Sequence, residues 1–187
     1  IRSNFVKAIC EDALHRLWLI GEGGIECISI QTLHPQKTQS HVPEWEQLRS
    51  QEFHAIHCDK KGQLWLSGKT GLYRIMFDAQ GDIVDIQKTL EYEVPTTSAA
   101  FHEDQEGMLF GVSNQIYSSK DGESPRLLAD IHLPHYAWIQ ALHRQRNLLW
   151  IGMSNGLYRY DTTGKQLRAY HTSPSPHSLT QDFITDI

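Results

Sequence analysis

Long apolar runs, cysteine and an excess of basic residues are all scarce in this sequence. No stretch approaches the roughly 20 apolar residues that a membrane-spanning helix requires. Lysine and arginine total 17 against 22 aspartates and glutamates, so the formal net charge is −5 over 187 residues. The basic residues are scattered, which argues against a surface that follows nucleic-acid phosphates. We therefore expect a single domain by size that binds no nucleic acid.

Catalytic motifs are scarce as well. The stretch Gly68–Gly71 reads like the end of a phosphate-binding loop, but it lacks the earlier glycine and lies between two predicted strands. The sequence has no cysteine–histidine pair at a spacing typical of a known family of cysteine enzymes. Paired acidic residues such as Glu11-Asp12 recur at regular intervals along the chain. They therefore predict turns and not a catalytic acid and base. We expect no catalytic residues, no cofactor and no enzyme activity in this chain.

Histidine is abundant, with eleven copies, yet its spacing does not favour a metal site. His54 and His57 lie in a predicted strand, where residues three apart point to opposite faces. His132 and His135 lie in a predicted loop, but zinc sites usually show a fuller ligand set. We expect histidines that are solvated or hydrogen-bonded, and no bound metal.

One motif occurs four times along the chain. Its clearest copies are "QLWLSGKTGLYRI" at 63–75 and "LLWIGMSNGLYRYD" at 148–161. An aromatic anchor recurs at separations of 47, 45 and 40 residues, and these anchors are Trp18, Trp65, Phe110 and Trp150. Aspartate recurs in the turn before three of the anchors, as Asp12, Asp59 and Asp104, and Arg144 stands there in the fourth copy. A period in the forties is typical of solenoids, propellers or arrays.

Each copy predicts several short strands and no helix. Runs such as 148–151 are apolar at consecutive positions, which a strand permits when both of its faces are covered. Four strands for each repeat of this length predict an all-β fold, a β-propeller of about four four-stranded blades that belongs to a larger propeller. A β-sandwich spaces its strands similarly but does not require four similar units. The predicted blades span residues 1–46, 47–94, 95–136 and 137–177.

The end of the chain repeats its beginning. Residues 181–187, "QDFITDI", match residues 3–9, "SNFVKAI". We therefore predict that 178–187 is the first strand of a further blade. A lone apolar strand at an open blade face invites pairing, so the isolated chain is expected to self-associate.

The repeats resemble the two-component regulator propeller family. That pattern is a short Val/Ile strand, Asp-x-x-Gly, Leu-Trp-Ile-Gly and Gly-Leu-x-Arg-Tyr-Asp, and it is weakest here around Phe110. The resemblance implies the extracytoplasmic, periplasmic input part of a membrane receptor whose output is a histidine kinase or a diguanylate cyclase (GGDEF) domain. It also implies that neighbouring blades are partners, and that this chain is an excised sensor fragment that recognises a small molecule, glycan or peptide. A propeller-type hydrolase or lyase and a passive interaction scaffold are the alternatives, since fold does not fix function.

Three cysteines, Cys10, Cys27 and Cys58, cannot all pair within one chain. Free cysteines are commonly buried, and we expect thiols within strands. One disulfide with one free thiol is the alternative, because the compartment that the resemblance implies permits disulfides.

The aromatic residues divide into two groups. The four anchors recur with the repeat, so we expect them to pack the blades. Trp45 and Trp138 fall outside the anchor position, in predicted connections, and Tyr136 stands beside Trp138. Loops on a rigid scaffold often carry binding residues. We therefore name Trp45, Tyr136 and Trp138 as candidate ligand contacts, with packing onto the nearest blade as the alternative.

Overall fold

The computed structural model is all-β and describes residues 5–120, 123–131 and 137–187. The described residues form fifteen strands and one short helix, α1. Their bounds are β1 Val6–Glu11, β2 Arg16–Gly21, β3 Gly24–Ser29, α1 Trp45–Leu48, β4 Phe53–Cys58, β5 Leu64–Gly68, β6 Gly71–Phe77, β7 Ile83–Glu91, β8 Ala99–Glu103, β9 Met108–Val112, β10 Gln115–Ser119, β11 Arg126–Asp130, β12 Ile139–Gln145, β13 Leu148–Met153, β14 Gly156–Asp161 and β15 Gln166–Tyr170.

The strands form four antiparallel sheets in which neighbours along the chain are neighbours in space. The first sheet is β1-β2-β3, and the others are β4 to β7, β8 to β11 and β12 to β15, each in sequential order. Four such up-and-down sheets are the blades of a β-propeller, which confirms the predicted fold class. Each sheet lies within the range predicted for one blade.

The chain divides into two compact units, residues 1–97 and 98–187. The first unit holds blades one and two, and the second holds blades three and four. In the first unit β4 packs against β1 and β2, and in the second β12 packs against β8 and β9. Each unit therefore buries apolar side chains between two sheets, and each has its own hydrophobic core.

The second strand is buried on both faces in blades two and three, as its continuous apolar sequence predicts. Every residue of β5 and of β9 is buried. A strand between two covered faces has no solvent side on which polar residues are needed. This explains why the repeated motif is a continuous apolar run. A half-exposed strand would instead alternate apolar and polar residues.

Blade one departs from the prediction because the described residues give it three strands. The segment after β3 contains Pro35 and Pro43, which have no N–H to donate to a ladder. Irregular backbone takes the place of a fourth strand: Gln36 N–H donates to the Cys27 carbonyl at 2.8 Å, and Ile25 N–H donates to the Arg49 carbonyl at 2.9 Å. The edge of β3 is covered by a loop and the end of α1.

The terminal segment 178–187 also differs from the prediction. It is described throughout and contains no strand of a further blade. Thr172 and Leu179 form an isolated bridge, and Ile184 N–H donates to the Met153 carbonyl at 3.0 Å. With no second strand beside it, the segment gains too few ladder bonds to become a strand, although Ile184 lies against Gly152 of β13.

The repeated aspartate organises the turn between the first two strands of a blade. In blade two, Asp59 Oδ1 accepts the N–H groups of Lys61 and Gln63 at 3.0 and 2.8 Å. Its Oδ2 accepts the indole N–H of Trp65 at 2.8 Å. Asp12 makes the same kinds of bond in blade one, including 2.7 Å to the indole of Trp18. The turn aspartate and the anchor tryptophan are thus one structural device.

Phe110 is buried but does not occupy the anchor position of its blade. Trp65 pairs with Arg74 across the hairpin and Trp150 pairs with Arg159, whereas Phe110 pairs with Tyr117. The position equivalent to the tryptophans is Leu109, because blade three has one residue fewer between its aromatic residue and the following strand. A shift of one residue turns a side chain to the other face of a sheet.

Arg144 replaces the missing indole as the partner of the third aspartate. Its Nε donates to Asp104 Oδ2 at 2.6 Å, and it also bonds the Gly107 carbonyl at 3.1 Å. Burial alone would raise the pKa of Asp104, but the bonds from Arg144 and from the Glu106 N–H outweigh it, so the pKa lies below its usual value. Blade four therefore supplies a cation to the turn of blade three.

We expect this pair to couple blades three and four measurably. A double-mutant cycle of Arg144→Gln and Asp104→Asn should give a coupling free energy of about 1–2 kcal/mol, because the bond is charge-assisted but partly solvent-screened. Urea denaturation of the four proteins measures it. A coupling free energy near zero would show that the pair does not stabilise the second unit.

Candidate functional site

One end of blade four gathers aromatic and polar side chains. At this end β12 begins, β13 turns into β14, and β15 ends, so three connections meet there. We name the group the blade-four rim, and it consists of Trp138, Ser154, Asn155, Tyr158 and His171. Because a sheet fixes the ends of its strands, the rim is held on a rigid base, which is where binding residues are commonly found.

Trp138 is the exposed aromatic residue of the rim. Its side chain is 43% exposed. Its backbone is fixed from both sides: the Trp138 N–H donates to Ser154 Oγ at 3.2 Å, and the Ser154 N–H donates to the Trp138 carbonyl at 3.2 Å. The hairpin turn thus holds the position of Trp138 while leaving part of its ring accessible. Of the three residues predicted to contact a ligand, Trp138 therefore remains a candidate.

Tyr158 connects the turn with the end of β15. Its hydroxyl donates to Asn155 Oδ1 at 3.3 Å, and its ring meets the His171 ring edge to face at 5.7 Å between centroids. Burial raises the pKa of Tyr158 and outweighs the opposing hydrogen bond to Asn155, while the charge of Asp182 adds a smaller upward contribution. The phenol therefore stays protonated and neutral across physiological pH, and can donate a hydrogen bond. The rim combines an aromatic platform with hydrogen-bonding groups.

Trp45 does not belong to a binding surface. Its ring is 3% exposed and meets Trp18 edge to face at 6.2 Å between centroids. Helix α1 carries Trp45 and Leu48 inward, and both join the core of the first unit. The prediction of a ligand contact is not supported, because the helix turns the side chain onto blade one. Tyr136 lies outside the described residues, as do His132 and His135.

The expectation that the chain carries no Gly-x-Ser-x-Gly pattern is wrong at the level of sequence. Residues 152–156 read Gly-Met-Ser-Asn-Gly, which fits the Gly-x-Ser-x-Gly pattern of serine hydrolases. That chemistry requires a sharp turn from a strand into a helix, whereas Ser154 lies in a hairpin between β13 and β14. Its hydroxyl oxygen accepts the Trp138 N–H. Ser154 therefore has a positioning role for Trp138 in this structure.

Three potential metal ligands meet at the turn after β6. His41, Asp78 and Asp82 each place one ligand atom within 4.8 Å of the others. Asp78 Oδ1, however, accepts the N–H groups of Gln80 and Asp82, both at 2.9 Å. This is the same turn chemistry as at Asp12 and Asp59, so the cluster is explained without an ion.

The first blade has an apolar face that none of the other described residues covers fully. Ile9 of β1 pairs with Leu19, as Ile56 pairs with Leu66 in blade two and Leu142 with Ile151 in blade four. Ile9 is 54% exposed, whereas Ile56 and Leu142 are 8% and 5% exposed. Blade one covers Ile56 and blade three covers Leu142. We call the uncovered surface around Val6 and Ile9 the opening face.

The fourth blade also has a partly uncovered sheet face, the one that carries its anchor tryptophan, Trp150. In blade one this side faces blade two, which contacts Trp18 through Phe77 at 5.5 Å between ring centroids, and Trp18 is fully buried. The equivalent Trp150 remains partly exposed. Tyr170 lies beside it at 5.9 Å, and Arg159 and Arg168 stand directly opposite each other nearby. We call Trp150, Tyr170, Arg159 and Arg168 the closing face.

Among the described residues no helix has the length and apolar character needed to cross a membrane. No family model matches the chain, and no curated protein sequence matches it. The comparison with solved structures, by contrast, finds propellers.

Two of these structures are of the extracellular domain of BT4673 from B. thetaiotaomicron, described in one case as a one-component and in the other as a hybrid two-component system. They have TM-scores of 0.74 and 0.70, 18% identity, and alignments over 98% of this chain and 25% and 24% of theirs. Virginiamycin B lyase from Staphylococcus aureus with quinupristin has a TM-score of 0.55 and 15% identity over 91% of this chain and 56% of that one. These likenesses establish the propeller fold. This chain spans about a quarter of the length of the first two structures.

Proposed function

We propose that this chain is part of the extracytoplasmic sensor propeller of a transmembrane signalling receptor, and that the receptor's output is a histidine kinase or diguanylate cyclase domain. The observation that carries the proposal is the fold match over 98% of the chain to an extracellular domain of a two-component system. The four repeats, which resemble the two-component regulator propeller pattern, support the same assignment. The proposed location is the periplasmic side of an inner membrane.

We further propose that the blade-four rim is the ligand contact of this part of the sensor. An exposed indole suits the apolar faces of sugars or the side chains of peptides. The neighbouring amide, hydroxyl and imidazole groups offer hydrogen bonds that would fix the orientation of such a ligand. None of the rim residues is an aspartate, glutamate, lysine or arginine, so the rim favours uncharged glycans or peptides over strongly charged ligands.

Binding to soluble probes tests the rim. Isothermal titration of this chain with a panel of neutral hexasaccharides and hexapeptides should find saturable binding for at least one probe, and Trp138→Ala should weaken it about tenfold or more. Leu33→Ala is the matched control, because Leu33 is exposed and lies in the first unit. In the full-length receptor, the same probe should change kinase or cyclase activity. Binding that Trp138→Ala leaves unchanged would contradict the rim as the site.

The opening and closing faces support a second part of the proposal, that neighbouring blades are the partners of this chain. Ile9 and Trp150 occupy positions that an adjacent blade buries elsewhere in the same fold. Apolar sheet faces left open tend to find a partner. In the isolated chain, a second copy would take the place of the missing blade.

We therefore expect the isolated chain to self-associate with increasing concentration. Sedimentation velocity should show a concentration-dependent rise in mass that Ile9→Lys reduces, since a charge on the opening face opposes apolar contact. Leu33→Lys is the control, because Leu33 is 70% exposed and lies outside both faces. A chain that stays monomeric at high concentration, with its fold intact, would remove this part of the proposal.

The lyase neighbour supplies the second candidate function. Virginiamycin B lyase shares the fold at 15% identity, and its solved complex contains quinupristin. Incubating this chain with quinupristin and following the intact substrate by mass spectrometry tests the alternative directly. Turnover that Ser154→Ala or Tyr158→Phe abolishes would favour an enzyme over a sensor.

A further inference from the structure

Two cysteines of the first unit lie in contact across neighbouring blades. Cys10 is in β1 and Cys58 ends β4, so 48 positions separate them in the sequence. Their sulfur atoms are 2.6 Å apart. Both side chains are partly exposed, whereas Cys27, the third cysteine, is buried. The fold therefore selects one pair out of the three that the sequence allows.

We propose that Cys10 and Cys58 form a redox-reversible disulfide that clamps blade one to blade two. The packing of β1 against β4 has already brought the two thiols together, so forming the bond requires little movement of the backbone. Cys27 cannot compete, because it is buried in β3 with its thiol enclosed. This inference concerns a modification of the fold and is independent of any ligand at the blade-four rim.

The clamp would join two copies of the turn that organises the repeat. Cys58 directly precedes Asp59, whose carboxylate holds the indole of Trp65, and Cys10 lies two residues before Asp12, which holds Trp18. A bond between the sulfur atoms would therefore fix two anchor networks relative to each other. Its oxidation state could alter how rigidly blades one and two are joined.

The chemistry requires an oxidant of the disulfide class, such as oxidised glutathione or a thiol–disulfide oxidoreductase. Sharing its proton with Cys10 raises the pKa of the Cys58 thiol, and burial and the nearby Asp12 and Asp59 carboxylates add to this. In one order of the exchange, the Cys10 thiolate attacks a sulfur atom of the oxidant, forms a mixed disulfide and expels one oxidant thiol. Cys58 then loses its proton, attacks Cys10 Sγ and expels the second. The protein loses two electrons and two protons, and the oxidant gains both.

Thiol counting on the intact chain tests the pair. The protein is equilibrated in reduced and oxidised glutathione and treated with N-ethylmaleimide in denaturant. Its mass is then measured by mass spectrometry. Reduced protein should carry three maleimides and oxidised protein one, located on Cys27, with peptides containing Cys10 and Cys58 joined. By the loop-entropy relation, a bond across a loop of this length should raise the melting temperature by about 10 °C, and dithiothreitol should reverse the gain.

Single substitutions keep the test decisive. Cys27→Ala should still form the bond and keep the shift in melting temperature, whereas Cys10→Ser and Cys58→Ser should lose both. Three maleimides on oxidised wild-type protein, a link that involves Cys27, or a link between two molecules would each overturn the proposal. A disulfide that forms but leaves the melting temperature unchanged would also overturn the proposal, because the bond would then not stabilise the contact between blades one and two.

Discussion

Replacing Trp18 or Trp45 by alanine is expected to lower the free energy of unfolding by about 3–5 kcal/mol in each case, the range for removing a buried large aromatic side chain. Trp18 is fully buried and Trp45 is 3% exposed, and the two indoles meet edge to face. Each substitution removes apolar contacts and leaves a cavity that the surrounding sheets cannot fill. Trp18→Ala also deprives the Asp12 carboxylate of an indole donor.

Trp150→Ala and Trp138→Ala are the matched controls, and both should cost clearly less because these rings are partly exposed. Urea titrations followed by far-ultraviolet circular dichroism measure all four variants. The double variant of Trp18 and Trp45 should cost less than the sum of the single losses, because the two rings contact each other. Equal losses at Trp45 and Trp138 would contradict the burial of Trp45.

These expectations differ from those that the repeat alone suggests. By sequence, Trp150 belongs with Trp65 as a buried anchor, and Trp45 belongs with Trp138 as a loop aromatic. The structure separates both pairs, because burial depends on what lies against a side chain and not on its place in a motif. Trp150 has the anchor sequence, but the part of the chain that the structure describes places no full blade over it. Trp45 lies outside the motif, yet α1 folds it onto blade one.

The fold was largely predictable, since the strand pattern repeats and the sheets follow it. The repeat period, the apolar second strands and the turn aspartates indicate blades without any knowledge of tertiary contacts. The register of blade three was harder to predict. Phe110 aligns with the tryptophans because both are aromatic. The number of residues between each position and the following strand shows instead that Leu109 is the equivalent position.

The candidate site was predictable in part. An exposed Trp138 follows from its place at a blade junction, but its support by Ser154 depends on two connections that are adjacent only in the folded sheet. The meeting of Cys10 with Cys58 has the same origin. One-dimensional spacing does not encode such contacts, because the packing of one blade on another determines which side chains meet.

Blade one contains a buried network of charged side chains. Asp12 and Arg16 are both almost fully buried, and Arg16 Nε donates to Asp12 Oδ2 at 2.7 Å. Arg16 also bonds the Gly81 carbonyl in blade two, so the network connects the two sheets of the first unit. Asp12→Ala would leave a buried guanidinium without its carboxylate and should cost about 3–5 kcal/mol. Asp59→Ala is the matched control and should cost less, since the fourth residue after Asp59 is Gln63 where blade one has Arg16.

The loss on removing Asp12 should depend on pH in a defined direction. Burial alone would raise the pKa of Asp12, but hydrogen bonds from Trp18 and Arg16 and the charge of Arg16 lower it below its usual 3.8. A carboxylate whose pKa is lower in the folded state stabilises the protein above its unfolded pKa and loses that contribution as pH falls through the folded value. Urea titrations of wild type and Asp12→Asn from pH 7 to pH 2 should therefore show a difference in stability that is constant near neutrality and shrinks below about pH 4. A difference that is independent of pH would mean that the ionised carboxylate does not hold this network together.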